Sequence, residues 1–552
     1  MNWEVISPDL SSSAQHPAEV KKSGGGGHQP DPDDAEFDRP DGNDAGDKDS
    51  AQSGRNGAIH TIAPSPVEAG MIWVGTSSGL VQLLRAGNWQ DVTPADFPKG
   101  SDVKLVEASP HDANTAYAVV AARRDDRPYF FRTHDAGKTW SKIVNGLPED
   151  VPAAALREDP KRKGLLFAGT QNSAYVSFND GDHWQTLQLN LPATPVTDFA
   201  VHGDDLVAAT FGRGLWIVDD ISPLRELSAK VADTPVHFFK PQTAMRVRWD
   251  NNNDTPLPPE FPASENPPDG AILYYSLKNN AKSEVTLDVL DAKGNRLRHY
   301  SSKSAPKKLP VGNAPDYWFA PASSLDATAG LHRFVWDVRS EDPLTLTYGY
   351  FGGKLDYIEY TLPDHAIPGM TPRQQPPGAL LPPGTYEVVL TADGKQYRQR
   401  LDVVLDPRVH TSSADLLEQW NLARTISAAM EASYNAYNEY SALQTAIAAR
   451  QAALKDDAKA KEVLDGLIKL QKASNDVLEG SGEAPGIGPI NRDISRYFIM
   501  IESADMRPAA SAQKVFRETC ESLQKHLATW RQINEENIPA VNKQLQEMHF
   551  SP

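Results

Sequence analysis

The sequence predicts a multidomain, β-rich protein that begins with part of a β-propeller, continues into an antiparallel β-sandwich and ends in an α-helical bundle. Three observations lead to this prediction. Short strands with a recurrent tryptophan fill 59–220, alternating strands with hairpin turns fill 271–408, and apolar residues step by three and four from 411 to 549. The 552 residues leave room for three or four domains of roughly 150 residues each.

Composition excludes several classes of protein. A formal net charge of −18 argues against a nucleic-acid partner, whose phosphates require clustered Lys and Arg. No run approaches about 18 apolar residues, so the sequence predicts no transmembrane segment. Cys520 is the single cysteine, and no internal disulfide can form.

The propeller prediction rests on repeats between 59 and 220. Each repeat opens with a polar turn and continues into a short strand, and three of them reach a tryptophan at intervals of 51 and 44 residues. Repeats of about 40–50 residues with several short strands are typical of propellers, one four-stranded sheet per repeat. The turns are APSP (63–66), EASP (107–110), REDP (157–160) and VHGDD (201–205).

Two repeats contain the same eight-residue pattern, THDAGKTW at 133–140 and SFNDGDHW at 177–184. We expect its acidic or amide side chain to accept backbone N–H bonds across a tight turn, its glycine to adopt positive φ and its tryptophan to pack between sheets. The alternative is a catalytic role for Asp135 or Asn179. The residues that carry the pattern are Thr133, Asp135, Gly137, Trp140, Ser177, Asn179, Gly181 and Trp184.

This pattern resembles the Asp-box, or BNR, repeat of sialidases, xyloglucan-cleaving propellers and the sortilin luminal domain. The wider sequence is similar to the carboxyl-terminal portion of bacterial BNR proteins of the "glycosyl hydrolase" or sortilin (VPS10)-like group. The resemblance implies Asp-box blades, a periplasmic or secreted location for the intact family, and glycoside hydrolysis by resemblance only. The amino terminus itself lacks the pattern of a signal peptide.

The family's propeller is longer, and Trp3-Glu-Val-Ile6 resembles the end of a preceding blade. Two interpretations stay open: a four-blade closure, or a truncated or split protein with further blades upstream, which we favour. The acidic insert contains nine acidic residues from Asp31 to Asp49 and lacks the Glu of a calcium loop. The predicted divisions are a closing strand (1–13), a disordered acidic Gly-rich insert (14–58), propeller blades (59–225), a Pro-rich linker (226–270), a sandwich (271–408) and a helical bundle (409–552).

The sandwich prediction comes from strands such as 284–290, in which apolar residues alternate, and from the hairpin turns DAKG and ADGK. HRFVWDVR followed by PPGTYEVVL resembles an Ig-like domain of secreted bacterial proteins, which implies an Ig-like β-sandwich. The helical stripe from Leu416 to Ile447 is typical of a bundle core.

No carboxylate pair has a spacing that identifies a hydrolase site, and the sequence suggests neither a cofactor nor a metal. The candidate ligand-binding residues are Arg213, between two glycines, and Arg123 and Asp126 in a charged hairpin. Arg213 reaches a ligand or pairs with Asp219 or Asp220.

Two functions therefore remain open. The first is a binding scaffold for a glycan or protein ligand, with no activity in this chain alone. The second is a sialidase- or xyloglucanase-like glycoside hydrolase whose catalytic blades are partly missing. An open propeller also exposes sheet edges, which predicts self-association.

Overall fold

A computed structural model describes residues 6–11, 57–248, 267–304, 324–346, 377–457, 459–481 and 484–547. The chain divides into two compact units, Met1–Ser228 and Ala229–Pro552. Several parts of the predicted divisions lie outside the described residues: 1–5 and 12–13 of the closing strand, most of the acidic insert, 249–266 of the linker, and 305–323 and 347–376 of the sandwich. Within the described part of the chain, we find no helix with the length and apolar character to span a membrane.

Unit 1 consists of antiparallel sheets in which strands follow one another in chain order. Sheet 1 contains β1 (Ile59–Pro64), β2 (Ile72–Thr76), β3 (Val81–Arg85) and β4 (Asn88–Asp91). Sheet 2 contains β5 (Asp102–Ala108), β6 (Ala116–Ala121), β7 (Phe130–Thr133) and β8 (Ser141–Lys142). Sheet 3 contains β9 (Ala153–Glu158), β10 (Leu166–Thr170), β11 (Ala174–Ser177) and β12 (Gln185–Thr186). Sheet 4 contains β13 (Val196–His202), β14 (Asp205–Thr210) and β15 (Leu215–Val218), and helix α1 (Ser222–Glu226) follows it.

Successive sheets stack through their first strands. β5 packs on β1 and β2, β9 packs on β5 and β6, and β13 packs on β9 and β10. Each first strand has a register shift at its start, and the residues that begin these bulges are Ile59, Val103, Ala153 and Val196. Because a bulge re-aims the side chain at its position, the repeated shift gives all four first strands the same local geometry.

The strand register also shows at which end of each sheet the turns lie. In every sheet, the hairpin between the second and third strands lies at the end where the first strand begins, as shown by the pairs Ile59–Thr76 and Val196–Thr210. The turns between third and fourth strands lie at the opposite end, because antiparallel strands alternate direction. We call the first end the hairpin end.

Unit 2 contains two sheets and a helical region. One sheet has the order β16 (Val236–Phe238), β18 (Ala271–Leu277), β21 (Gly330–Trp336). The other has the order β17 (Ala244–Arg246), β23 (Lys395–Leu405), β22 (Gly384–Ala392), β19 (Thr286–Leu290), β20 (Arg296–Ser301), and β17 pairs with β23 in parallel. The short helix α2 (Ala229–Asp233) precedes them.

The helices are α3 (Ser413–Leu454), α4 (Lys461–Glu479), α5 (Ile487–Ile501), α6 (Ala510–Gln532) and α7 (Ile538–Glu547), with a π-helical turn at Ile533–Asn537 and the two-stranded pair β24 (Gly480–Ser481) and β25 (Ala484–Pro485). Ser412 caps α3 by accepting the Asp415 N–H. Helix α3 and the two sheets of unit 2 share one core, in which Trp420 and Ile426 lie with Leu273 and Trp336. Cys520 packs against this core, and burial raises the pKa of its thiol.

Candidate functional site

The first strands of three successive sheets bring together Glu107, Arg157 and Asp198, which we call the first-strand ion cluster. Arg157 Nη1 donates to Glu107 Oε2 at 2.6 Å. On its other side, Arg157 Nε and Nη2 donate to the two Asp198 carboxylate oxygens, each at 3.0 Å. One guanidinium on β9 thus connects β5 with β13 through a forked, charge-assisted contact.

The two carboxylates have different environments. The Glu107 side chain is 17% exposed, whereas that of Asp198 is 47% exposed. Burial raises the pKa of Glu107, and the attraction of Arg157 opposes that rise. Burial also disfavours the charge of Arg157, but the attraction of Glu107 and the hydrogen bonds to Asp198 outweigh it and raise the pKa of the guanidinium.

These environments define the chemistry available. Asp198 offers solvent-accessible acceptors to a hydroxyl or amide, and Arg157 stays cationic beside it. The two catalytic carboxyl groups of a glycosidase lie about 5–10 Å apart. In this cluster, the Arg157 guanidinium separates the carboxylates of Glu107 and Asp198. The same guanidinium donates hydrogen bonds to both groups, however, and fills the space between them in which a glycosidic bond would lie.

A second polar contact joins the first strands of sheets 1 and 2. His60 Nδ1 lies 2.7 Å from Asp102 Oδ1, and Lys104 Nζ donates to Asp102 Oδ2 at 2.6 Å. Polar or charged side chains therefore follow the first strands through all four sheets of unit 1.

The predicted ligand-binding residues lie in two hairpins, both at the hairpin end of their sheets. Arg123 and Asp126 are exposed between β6 and β7, and Arg213 is exposed between β14 and β15. Among the described residues, no hydrogen bond or ion pair joins these hairpins. The Arg213 carbonyl accepts the Trp216 indole N–H at 2.9 Å, and Asp220 is buried and accepts the Ser222 N–H.

Between Arg123 and Asp126, the neighbouring Asp125 has a defined structural role. It accepts hydrogen bonds from the Arg127 guanidinium and, at 2.7 Å, from the Tyr129 hydroxyl. The hairpin tip is thereby fixed to the buried Tyr129, and Arg123 and Asp126 are left on the surface.

The repeated eight-residue patterns form two turns of the same geometry. Thr133 Oγ1 donates to Asp135 Oδ1 at 2.9 Å and accepts the Gly137 N–H at 3.0 Å. Asp135 in turn accepts the Thr139 N–H at 2.8 Å and the Thr139 hydroxyl at 2.7 Å. These two bonds, with the one from Thr133, lower the pKa of Asp135 to about 2.

The second turn repeats these bonds with an amide in place of the carboxylate. Ser177 Oγ donates to Asn179 Oδ1 at 2.9 Å and accepts the Gly181 N–H at 2.9 Å, and Asn179 accepts the His183 N–H at 3.0 Å. Asn179 therefore performs the same turn-capping interaction without a charge.

The glycines of both turns have positive φ, 81° at Gly137 and 87° at Gly181. A β-carbon at Gly137 would lie 2.6 Å from Val92 Cβ, and one at Gly181 would lie 2.6 Å from Ile143 Cδ1. Glycine is required at both places because the backbone conformation is left-handed and the preceding sheet approaches closely.

The tryptophans link adjacent sheets. Trp140 Nε1 donates to the Val92 carbonyl and Trp184 Nε1 to the Ile143 carbonyl, both at 2.9 Å. Trp89 makes the corresponding bond at 3.1 Å to the carbonyl of Ile6. Each accepting residue stands three positions after a tryptophan in the sequence, at Trp3, Trp89 or Trp140.

Sequence reasoning missed Glu107 and Arg157 as a pair. The signal that could have revealed them is their equivalent place in two repeats, as the first residues of EASP and REDP. Opposite charges at the equivalent position of two successive repeats indicate an ion pair only when the sheets that the repeats form are known to stack. Among the described residues, the structure shows no group of three or more His, Cys, Asp or Glu side chains suited to a metal ion.

Comparisons with known proteins give weak similarities. No family model matches the chain. Over 108 residues the chain is 26% identical to vacuolar protein sorting/targeting protein 10 of Pyrenophora teres f. teres (strain 0-1), a match that spans 18% of this chain and 7% of that protein.

Among solved structures, the chain has a weak similarity to PorZ, a surface component of the type-IX secretion system of Porphyromonas gingivalis, at 12% identity and a TM-score of 0.23, over 63% of this chain and 45% of that chain. The GH74 xyloglucanase of Xanthomonas campestris has 13% identity and a TM-score of 0.26, over 63% of this chain and 54% of that chain.

Proposed function

We propose that this protein is a binding scaffold whose unit 1 is built of β-propeller blades of the Asp-box type. Sheets 1–4 are the blades within 59–225, and unit 2 combines an Ig-like β-sandwich within 271–408 with a helical bundle within 409–552. The ligand is a glycan or a protein segment rich in hydroxyl and amide groups.

The first-strand ion cluster is the observation that supports this proposal. Three successive sheets contribute Glu107, Arg157 and Asp198, and the outermost of these side chains, Asp198, is 47% exposed. An exposed carboxylate held in place by a bidentate arginine is a pre-oriented acceptor, because its rotamer is already fixed before a ligand arrives. Pre-orientation lowers the entropic cost of binding a polar ligand.

Binding is favoured over hydrolysis because Arg157 compensates both carboxylates. The carboxyl groups of a glycosidase flank the scissile bond, whereas here the Arg157 guanidinium lies between Glu107 and Asp198 and donates hydrogen bonds to both. Arg213 extends the proposed surface, since its hairpin follows Ala209, the strand partner of Asp198. The hairpin with Arg123 and Asp126 lies at the end of sheet 2 opposite to Glu107, which pairs with Tyr117.

Binding of sialosides, β-glucan oligomers and peptides to the full chain, measured by isothermal titration calorimetry, tests the proposal. Asp198→Asn should weaken the affinity for the bound ligand by about tenfold, the effect of one lost charged hydrogen bond of about 1.5 kcal/mol. Asp465→Asn, an exposed carboxylate on α4, is the matched control and should leave the affinity unchanged. Equal affinities of wild type and Asp198→Asn would reject the site.

One observation favours the alternative, a glycoside hydrolase. Burial raises the pKa of Glu107 while Asp198 stays more exposed, and such an asymmetric pair is what acid–base hydrolysis uses. If the full chain hydrolysed aryl glycosides and Glu107→Gln abolished that turnover without unfolding the protein, the alternative would replace the scaffold proposal.

A further inference from the structure

The three junctions between sheets of unit 1 share one packing pattern. At two of them, the residue that begins the bulge packs on the fourth residue of the second strand of the preceding sheet. Val103 meets Gly75, where a β-carbon would lie 2.5 Å from Val103 Cγ1, and Val196 meets Gly169, where a β-carbon would lie 3.1 Å from Val196 Cβ. At the middle junction a smaller residue, Ala153, shares a core with Val119.

Size compensation makes these contacts specific. A valine packs on each glycine, and at the middle junction the smaller Ala153 shares a core with the larger Val119, so the summed volume stays similar from one junction to the next. The bulge residues are accordingly buried: Val103 is 0% exposed, Ala153 is 3% and Val196 is 0%.

The two ends of the stack of sheets expose the residues that are equivalent to those buried at the internal junctions. At the first end, the bulge residue Ile59 is 46% exposed. We call the surface of sheet 1 around Ile59 the head face.

At the other end, Ala209 holds the position of Gly75 and Gly169, as the strand registers show. Beside it, Leu215 is 73% and Ile217 is 58% exposed. We call Ala209, Leu215 and Ile217 the tail face.

The exposure of the tail face is exceptional among equivalent positions. Leu215 pairs with Ala209 as Val81 pairs with Gly75, Phe130 with Val119 and Ala174 with Gly169. Those three equivalents of Leu215 are 0%, 0% and 3% exposed. Phe130, for example, packs on Trp184 of the next sheet, with ring centroids 6.0 Å apart.

At the head face, the backbone of Ile6 lies where the end of a preceding sheet lies at the other junctions. Trp89 donates its indole N–H to Ile6, as Trp140 does to Val92 and Trp184 to Ile143. Val92 and Ile143 directly follow the fourth strands of sheets 1 and 2, whereas sheet 4 has three strands among the described residues. At the head, Ile6 therefore occupies the position that belongs, at the other junctions, to the residue directly after a fourth strand.

We propose that the tail face of this protein binds the head face of a second copy, and that two copies close head to tail through two such junctions. Ile59 of the second copy seats on Ala209, and Leu215 packs on Trp89 of the second copy as Phe130 packs on Trp184. A head-to-tail contact closes into a ring or extends into a filament. The two-copy ring buries every head and tail face and leaves no sheet face open for further addition.

The second copy is the occupant because this chain contains both complementary halves. At the internal junctions, a bulge residue packs against the second strand of the preceding sheet. Ile59 and Ala209 are the bulge residue and the second-strand residue that have no such neighbour among the described residues, and a second copy supplies it. This inference rests on packing alone and is independent of the proposed ligand.

The test measures molar mass by size-exclusion chromatography with light scattering over a range of concentrations. The full chain has a mass of 60.4 kDa, and wild type should elute as a dimer of twice that mass. Ile59→Lys at the head and Ile217→Lys at the tail should each give a monomer, since either variant alone loses both junctions. Ile468→Lys, at a 55% exposed isoleucine on α4, is the control and should stay dimeric.

Mixing gives the decisive result. Equimolar Ile59→Lys and Ile217→Lys should form a heterodimer, because the intact tail of one meets the intact head of the other. Such a heterodimer has one intact junction and should dissociate at lower concentration than wild type. Circular dichroism of each variant confirms that it is folded.

Three outcomes would overturn the proposal. A monomeric wild type at all concentrations would show that another polypeptide, or none, covers the faces. A dimeric Ile59→Lys would show that like faces pair with each other. Failure of the two folded variants to associate on mixing would exclude head-to-tail contact.

Discussion

Trp184 donates its indole N–H to the carbonyl of Ile143, 41 positions earlier in the chain, across the junction between sheets 2 and 3. The indole is 1% exposed, so neither partner can turn to water when the other is removed. This bond makes the tryptophan of the repeat a connector of sheets, in addition to an apolar filler.

Trp184→Phe should therefore destabilise unit 1 by about 1–3 kcal/mol, the cost of a buried unsatisfied carbonyl. Trp216→Phe is the control, because the Trp216 indole binds Arg213 within its own, more exposed hairpin. Urea unfolding followed by circular dichroism gives both values. A larger loss for Trp216→Phe than for Trp184→Phe would contradict the connector role.

Gly181→Ala separates backbone strain from steric clash. Gly212 has a similar φ, 82° against 87°, but a β-carbon there would meet nothing within 4 Å, whereas at Gly181 it would meet Ile143 at 2.6 Å. Gly212→Ala should cost about 1–2 kcal/mol for the left-handed backbone, and Gly181→Ala should cost more. Melting temperatures measured side by side decide this, and equal shifts would mean that the preceding sheet yields to the methyl group.

Asp135 should make unit 1 sensitive to acid. Its pKa is lowered from 3.8 to about 2, so its carboxylate favours the folded state above the unfolded pKa, and this contribution is lost as the pH falls from 3.8 towards 2. Asp135→Ala should lower stability at neutral pH by about 1–3 kcal/mol and weaken the pH dependence in that window.

The second turn provides the reciprocal experiment. Asn179 makes the same bonds without titrating, so Asn179→Asp should add acid sensitivity between pH 4 and 2. Chemical denaturation at several pH values measures both variants. An unchanged pH profile in Asp135→Ala and in Asn179→Asp would contradict the capping role of this position.

Glu502 is the acceptor of a buried ionic network in unit 2. Its side chain, 6% exposed, accepts from Arg339 Nη1 at 3.2 Å and from the Leu380 N–H at 3.1 Å. Glu502→Gln should cost about 3–5 kcal/mol, because it removes the buried carboxylate that Arg248 and Arg339 share.

Glu387→Gln provides the comparison, since Glu387 pairs with Arg398 at the surface, where both side chains are over 40% exposed. Loss of this surface ion pair should lower the free energy of unfolding by about 0–1 kcal/mol. Guanidinium chloride would screen both ion pairs, so urea is the suitable denaturant. Equal effects of the two substitutions would mean that water enters the Glu502 network.

The sequence was informative where structure depends on local geometry. The β-rich, multidomain organisation with a C-terminal helical region is confirmed, and the propeller and Ig-like assignments stay predictions. Gly137 adopts the positive φ that its turn was expected to need, because a turn depends on residues within a few positions.

Contacts between distant parts of the chain were not predictable in the same way. The partners of Arg157 lie 50 and 41 positions away, and their identity depends on how sheets stack. Trp420 is predicted to lie in the core of a helical bundle, yet it lies in a core shared with Trp336 of β21. Apolar periodicity shows that a face is buried but does not identify the element that covers it.

Recovery of a bound oligosaccharide after prolonged incubation with the full chain tests the scaffold proposal most directly. The measurement is chromatography and mass spectrometry of a β-glucan oligomer or sialoside that calorimetry shows to bind. The proposal predicts that the oligosaccharide is recovered at its original length, while Asp198→Asn binds it more weakly. Shortened products that appear with wild type and are lost with Glu107→Gln would contradict the proposal and identify a glycoside hydrolase.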